Sequence, residues 1–155
     1  MTLDQRLHEF REAAEQAATD GRYSDASALY QQLADVTGDD SVASLHYLTL
    51  ATNFAEGDGV APLYERAVRL SLDTNNYGKA GELSVVAAEY FRRHNQLDTS
   101  RDWSRRAIAY CSKAMYLVAA TQGASLGTTE CSDIEHFAAQ ITYCLTQLRQ
   151  SGSLA

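Results

Sequence analysis

The residues best equipped for chemistry are three cysteines, Cys111, Cys131 and Cys144, and they stand far apart with no C-x-x-C pair. An odd number of thiols cannot all pair internally, which fits a reducing compartment better than a disulfide framework. Cys111 and Cys144 fall in apolar helical stretches, where a thiol acts as a small hydrophobe. Cys131 falls near an expected helix start, a position that stabilises a thiolate. The histidines His8, His46, His94 and His136 are scattered and form no H-E-x-x-H or other spaced ligand set. No metal site and no cofactor are expected from them. Helical pairs such as Asp4 with His8, or Glu12 with Glu15, have the residue types of acid–base work. On exposed helix faces such pairs are ordinarily solvated surface. No Gly-rich phosphate loop, G-x-S-x-G elbow or dinucleotide fingerprint is present. The expectation is therefore a protein that is not an enzyme, with no catalytic residues to assign.

The chain has 155 residues, 45% hydrophobic and 21% charged, which suits one domain or a short array of repeats. A chain of this length buries roughly two-thirds of its unfolded surface, enough for a core without staples. Its net charge of −7 leaves nucleic acid as a poor partner unless a basic face is local. No apolar run reaches the roughly 20 residues of a membrane span. The segment MTLDQRLHEF lacks the apolar stretch of a secretory signal. These readings point to a soluble, cytoplasmic protein with no membrane insertion.

The pattern along the chain is helical throughout, and no strand is needed. Leu3, Leu7, Phe10, Ala14 and Ala17 make one apolar stripe, with Thr2 and Gln5 at capping-box spacing and Gly21 supplying a turn. Ser24 is the expected N-cap of a second helix carrying Ala26, Leu29, Tyr30, Leu33 and Val36. A third starts at Asp40 or Ser41 and is apolar nearly all round, as an inner helix would be. Gly57-Asp58-Gly59 breaks it, and Pro62 fits the first turn of a fourth. A fifth runs from Tyr77 to Arg93, before the loop His94-Asn95-Gln96. The sixth begins near Asp98 or Thr99, and is compatible with one long helix to 121 or two meeting around Ser112. Residues 122–129 read as loop, and Ser132 with Glu135 reads as the capping box of a last helix. The terminal SGSLA is expected to fray.

Internal similarity is the informative feature. Ala26, Leu29, Tyr30 and Leu33 recur as Val60, Leu63, Tyr64 and Ala67, and again as Ser100, Trp103, Ser104 and Ala107. Two antiparallel helices with a period in the mid-thirties mark a repeat solenoid, whose hairpins bury their apolar faces on one another. The stretch A-A-T-D-G-R-Y-S-D-A-S-A-L-Y-Q-Q-L resembles the second half of a tetratricopeptide repeat, with its Gly-x-Tyr turn and the small and aromatic residues that follow. V-A-P-L-Y-E-R-A-V-R-L-S-L, A-A-E-Y-F and W-S-R-R-A-I-A-Y-C also resemble repeats of the soluble NSF attachment protein family. The tetratricopeptide resemblance implies an all-α, right-handed superhelix of about three antiparallel hairpins with a C-terminal capping helix. The repeat units would span about 2–38, 40–74 and 76–112 within a single domain of residues 1–150, with capping helices over 113–150 and a disordered tail at 151–155.

Such solenoids bind along a groove lined by the first helix of each hairpin. The groove candidates are Arg11, Glu12 and Glu15; Leu45, His46, Thr49 and Asn53; and Val86, Glu89, Arg92 and Arg93. The lysine- and asparagine-rich clamp that some family members use for a chaperone's carboxylate terminus is not matched. Charge is uneven: residues 1–60 hold three basic and eleven acidic side chains, while 61–155 hold ten and nine. Arg101, Arg105 and Arg106, with Arg92 and Arg93, form a basic patch suited to an acidic or phosphorylated segment. The leading expectation is a non-catalytic adaptor or scaffold that binds a peptide or helix of another protein. The alternatives are a structural subunit of a homo- or hetero-oligomer, using Tyr90, Trp103, Tyr110 and Tyr116, and a small-molecule or peptide sensor.

Overall fold

A computed structural model describes residues 1–122 and 128–152, with the side chains of 122 and 128–131 excluded. Of the expected loop 122–129, residues 123–127 lie outside the described set, as do the side chain of Cys131 and the last three tail residues, while 122, 128 and 129 belong to helices and not to a loop. Every regular element among the described residues is helical: α1 (Leu3–Thr19), α2 (Tyr23–Val36), α3 (Ser41–Phe54), α4 (Val60–Asp73), α5 (Tyr77–Arg93), α6 (Leu97–Gln122) and α7 (Thr128–Gln150), with one turn of 3-10 helix at Gly57–Gly59. The all-α expectation holds, and the sixth helix is continuous through Ser112.

Local chemistry sets most of the boundaries. Thr2 accepts from the Gln5 backbone N–H while the Gln5 side chain accepts from Thr2 N–H, a complete capping box. Asp40 caps α3 by accepting from the N–H groups of Val42 and Ala43, both at 3.1 Å. Two expected caps are displaced. Ser24 lies inside α2, because the helix already begins at Tyr23 behind Arg22. Ser132 likewise lies inside α7, which begins at Thr128.

The displacement of Ser24 follows from the turn before it. Gly21 adopts φ +77°, Gly21 N–H donates to Ala18 O, and Arg22 N–H donates to Ala17 O. This Schellman closure satisfies the last carbonyls of α1 and sends the chain straight into the next helix. The same two bonds recur at Asn75 and Asn76 after α4, and at Asn95 and Gln96 after α5. Asn75 (φ 56°) and Asn95 (φ 59°) take the left-handed conformation that Gly21 takes in the first turn. Asn76 then caps α5 through Lys79 N–H, and α6 begins at Leu97, slightly earlier than its side chains suggested.

The chain divides into two compact units, Met1–Leu70 and Ser71–Ala155. In the first, α2 packs on both α1 and α3. Ser27 Oγ donates to Ala51 O at 2.9 Å, and Ser44 Oγ donates to Ala34 O at 3.0 Å. Rising numbers on α2 thus meet falling numbers on α3, so the two are antiparallel with a fixed register. Ala26, Leu33, Ala34, Leu48 and Ala51 are buried between the helices. Tyr30 and Tyr23 both stack on Phe54, at 5.9 Å between ring centroids. On α4, Val60, Leu63, Tyr64, Ala67 and Val68 are buried, and Arg66 pairs with Asp35 of α2. Leu45 belongs to this core at 8% exposure, not to an outward face.

In the second unit α6 packs on α5 and on α7, and α7 also touches α5. Gly81 lets α5 and α6 approach closely: a Cβ there would lie 2.5 Å from Cys111 Sγ and 3.2 Å from Cys111 N. Ser100 Oγ of α6 donates to Ala88 O of α5 at 2.7 Å, so these helices run antiparallel. Cys111 Sγ meets Gln140 at 3.3 Å, and Arg101 donates to Ser151 O at 3.0 Å, which makes α6 and α7 antiparallel too. Trp103, Ala107, Cys111, Cys144 and Leu148 are buried in this unit. Two antiparallel steps leave α5 and α7 parallel.

Candidate functional site

The parallel pair α5–α7 is cross-linked by side chains along its length. Gly78 of α5 faces Phe137 of α7, whose Cζ would be 2.7 Å from an added Cβ. Further along, Glu82 meets His136 at 3.3 Å, and Gln140 reaches the same imidazole nitrogen at 3.1 Å. Next comes Glu89, which accepts from Tyr143 OH, from Arg92 Nε at 3.0 Å and from Arg93 Nε at 3.2 Å. From Glu82–His136 to Glu89–Tyr143 the residue numbers rise together on both helices, so these two contacts form a ladder along one ledge. Val86 sits on α5 between the Glu82 and Glu89 rungs, half exposed at 50%, and Tyr143 is 39% exposed.

The electrostatics of the ladder centre on Glu89. Hydrogen bonds from Arg92 and then from Tyr143 hold its carboxyl at about 2, down from 4.5, against the opposing effect of partial burial. Tyr143 is pushed up, first by burial and then by its bond to the carboxylate. Arg92 is raised because it is hydrogen-bonded to Glu89. At neutral pH Glu89 is thus a carboxylate held between the neutral Tyr143 phenol and the Arg92 guanidinium.

Three of the four groove candidates of α5 are therefore brought together, Arg92 and Arg93 being tied to Glu89 within their own helix, while Val86 stands apart from the cluster. Tyr143, Glu82 and His136 complete the ledge and were not singled out for it. Tyr143 lies 54 residues from Glu89, and the α7 stripe alone does not disclose which α5 residue it meets. In the first unit Arg11, Glu12 and Glu15 are exposed on α1, with Glu12 bridging His8 at 3.1 Å. On α3, His46 and Asn53 are exposed, and half-buried Thr49 returns its hydroxyl to Leu45 O at 2.8 Å.

The arginines expected as a basic patch are largely engaged locally. Arg101 pairs with Asp98 at 2.8 Å as well as with Ser151 O, and Arg105 pairs with Asp102 at 3.4 Å. Arg106 lies over the Trp103 ring, 4.4 Å from its centroid. Each surface pair contributes a few tenths to about 1 kcal/mol. Among the aromatic residues named for self-assembly, Trp103 is buried and Tyr116 is 65% exposed.

Cys111 and Cys144 are free and buried, and burial raises their thiols to about 12 and about 11. No group of three His, Cys, Asp or Glu residues among the described residues is arranged to hold a metal ion. Among them, too, no helix is long and apolar enough to cross a membrane. No family model, curated protein or solved structure matches this chain.

Proposed function

We propose that the chain is a non-catalytic protein-binding module, a cytoplasmic adaptor that grips a peptide or helix of a partner protein rather than nucleic acid. In this reading the hairpins stack as a right-handed, tetratricopeptide-like superhelix, and α7 is the capping helix. The α5–α7 ledge carries the proposal. It is a parallel pair of helices cross-linked by Glu89–Tyr143 and Glu82–His136, with Val86 between those rungs. A parallel pair with an antiparallel helix behind it is what successive hairpins of a solenoid generate. Pre-set side chains around an exposed apolar position also lower the ordering cost of binding.

The test places a photo-crosslinking residue at Val86, or at exposed Asp102 on α6 as a control, and maps the crosslinked segment by mass spectrometry. The expected result is one partner segment captured from Val86 and weakened when Arg92 and Arg93 are both changed to Glu. Capture from Asp102 alone overturns the assignment. A second reading, a structural subunit, has its own observation: Tyr116 and Leu117 are exposed near the end of α6, and Lys113 sits 5.6 Å from the Tyr116 ring. Light scattering of wild type and Tyr116→Ser decides it. Self-association lost in the variant favours assembly, and a monodisperse monomer in both excludes self-assembly.

A further inference from the structure

The first unit carries a separate surface that the ledge does not explain. Leu3 and Leu7 of α1, Val36 at the end of α2, and Ala43 and Tyr47 of α3 line an open hollow of about 350 Å³. Thr37, Asp39 and Asp40 complete its wall. Leu3 is 56% exposed and Val36 37% exposed, and Val42, the residue before Ala43 in α3, is 82% exposed. The hollow is therefore lined mainly by apolar residues, together with two aspartates and no cation. That imbalance extends over the unit, whose residues 1–70 hold twelve acidic and five basic side chains. Two of the five basic residues are already paired, Arg22 with Asp20 and Asp25, and Arg66 with Asp35.

From this geometry we infer that the hollow is the docking site of a cationic amphipathic helix from a partner protein, with its apolar stripe on Leu3, Leu7, Val36 and Tyr47 and its Lys or Arg residues over Asp39 and Asp40. The apolar residues come from three helices, so they form a concave seat for side chains at i, i+3 or i+4 of a bound helix. Asp40 already caps α3 through its carboxylate and still contributes its charge. Asp39 is exposed and places a second carboxylate beside it. Like charge excludes an acidic helix and an anionic membrane surface, while opposite charge speeds encounter and sets orientation. The inference is independent of the α5–α7 ledge.

The probe is a synthetic Leu/Lys amphipathic helix of about 18 residues, compared by fluorescence anisotropy with a Leu/Glu peptide that keeps every Leu position. Three variants are compared with wild type: Leu3→Ser, Asp39→Lys and Glu56→Lys. Glu56 follows α3 at its far end, about 20 Å from Asp39 along a helix of this length, beyond the roughly 10 Å reach of surface charge at 0.1 M salt. The expected result is binding of the Lys peptide only. Its Kd should rise about threefold in Asp39→Lys and about five- to tenfold in Leu3→Ser, and change less than twofold in Glu56→Lys. Circular dichroism on each variant verifies folding, and amide exchange of the wild-type complex should protect α1 and α3 N-terminal residues. Equal effects of Asp39→Lys and Glu56→Lys mean attraction by bulk charge alone and overturn the proposal. So does equal binding of both peptides, or self-association of wild type that Leu3→Ser abolishes, which would make a second copy the occupant.

Discussion

Substituting Glu89 with Gln removes the charge at the centre of the α5–α7 ladder while keeping its shape. The carboxyl titrates at about 2 in the folded chain against 4.5 without its partners. At about 1.4 kcal/mol per pH unit, that difference sets an upper bound of roughly 3 kcal/mol. Solvent reaches this side chain, which is 22% exposed, so the contribution is closer to about 1–2 kcal/mol. The sign follows from linkage. A depressed folded pKa stabilises above the unfolded value of 4.5, and that stability drains as pH falls towards about 2. Urea unfolding followed by circular dichroism should therefore show Glu89→Gln less stable than wild type by about 1–2 kcal/mol at pH 7. The gap should shrink by more than half at pH 3. Tyr143→Phe alone should cost about 1 kcal/mol and add almost nothing once Glu89 is gone. A gap that is the same at pH 7 and pH 3, or full additivity with Tyr143→Phe, refutes the coupled ladder.

Further outcomes rest on the helix packing and on one turn. Gly81→Ala should destabilise by about 1–3 kcal/mol in urea, although Ala is the better helix former by about 1 kcal/mol, because the new methyl meets both the sulfur and the backbone of Cys111. Gly78→Ala should cost less, since there only the far edge of the Phe137 ring has to yield. Cys111 and Cys144 should stay unalkylated by iodoacetamide at pH 8 in native protein and react fully in urea, as peptide mapping would show, because burial holds both thiols at about 12 and about 11. Asn95→Gly should be neutral or stabilising by up to about 1 kcal/mol, and Asn95→Val destabilising by about 1–2 kcal/mol, in thermal unfolding, since the turn needs a positive φ.

What was legible in the sequence was what depends on neighbours a few residues apart. The Thr2–Gln5 box, the Asp40 cap, the Gly21 turn and the limits Tyr77 and Arg93 are all local chemistry, and all are present. Asn75 and Asn95 were not recognised as left-handed turn residues, because asparagine takes that conformation less regularly than glycine. Leu45 was placed outward because α3 is apolar on nearly every side, so its stripe does not identify the buried face; Val42, on the same helix, is largely exposed. The ledge was legible only by halves. Glu89, Arg92 and Arg93 sit within one turn, while Tyr143 and His136 join them through two long-range helix packings that no local pattern encodes.

The burial pattern also changes what the repeat means. Eleven of the twelve residues aligned by the repeat are buried, with only Leu29 partly exposed. Yet α5 carries the same spacing in Ala80, Leu83, Ser84 and Ala87, all buried, although it stands as the first helix of its hairpin. The spacing therefore marks any helix packed on two neighbours, whichever place it holds in a hairpin. The Schellman turn behaves the same way, since it closes α1, α4 and α5, and the connection from α3 to α4 runs through Gly57–Gly59 instead. A register assigned from apolar spacing alone can thus slip by one helix. The hydroxyl–carbonyl pairs Ser27–Ala51, Ser44–Ala34 and Ser100–Ala88 are free of that ambiguity, because each joins two specified helices at one level. Ser27→Ala combined with Ser44→Ala should therefore loosen α2 against α3, by about 1 kcal/mol for each bond. Amide exchange should quicken in those two helices and leave α5 to α7 unchanged, and faster exchange across all helices would contradict the separation into two units.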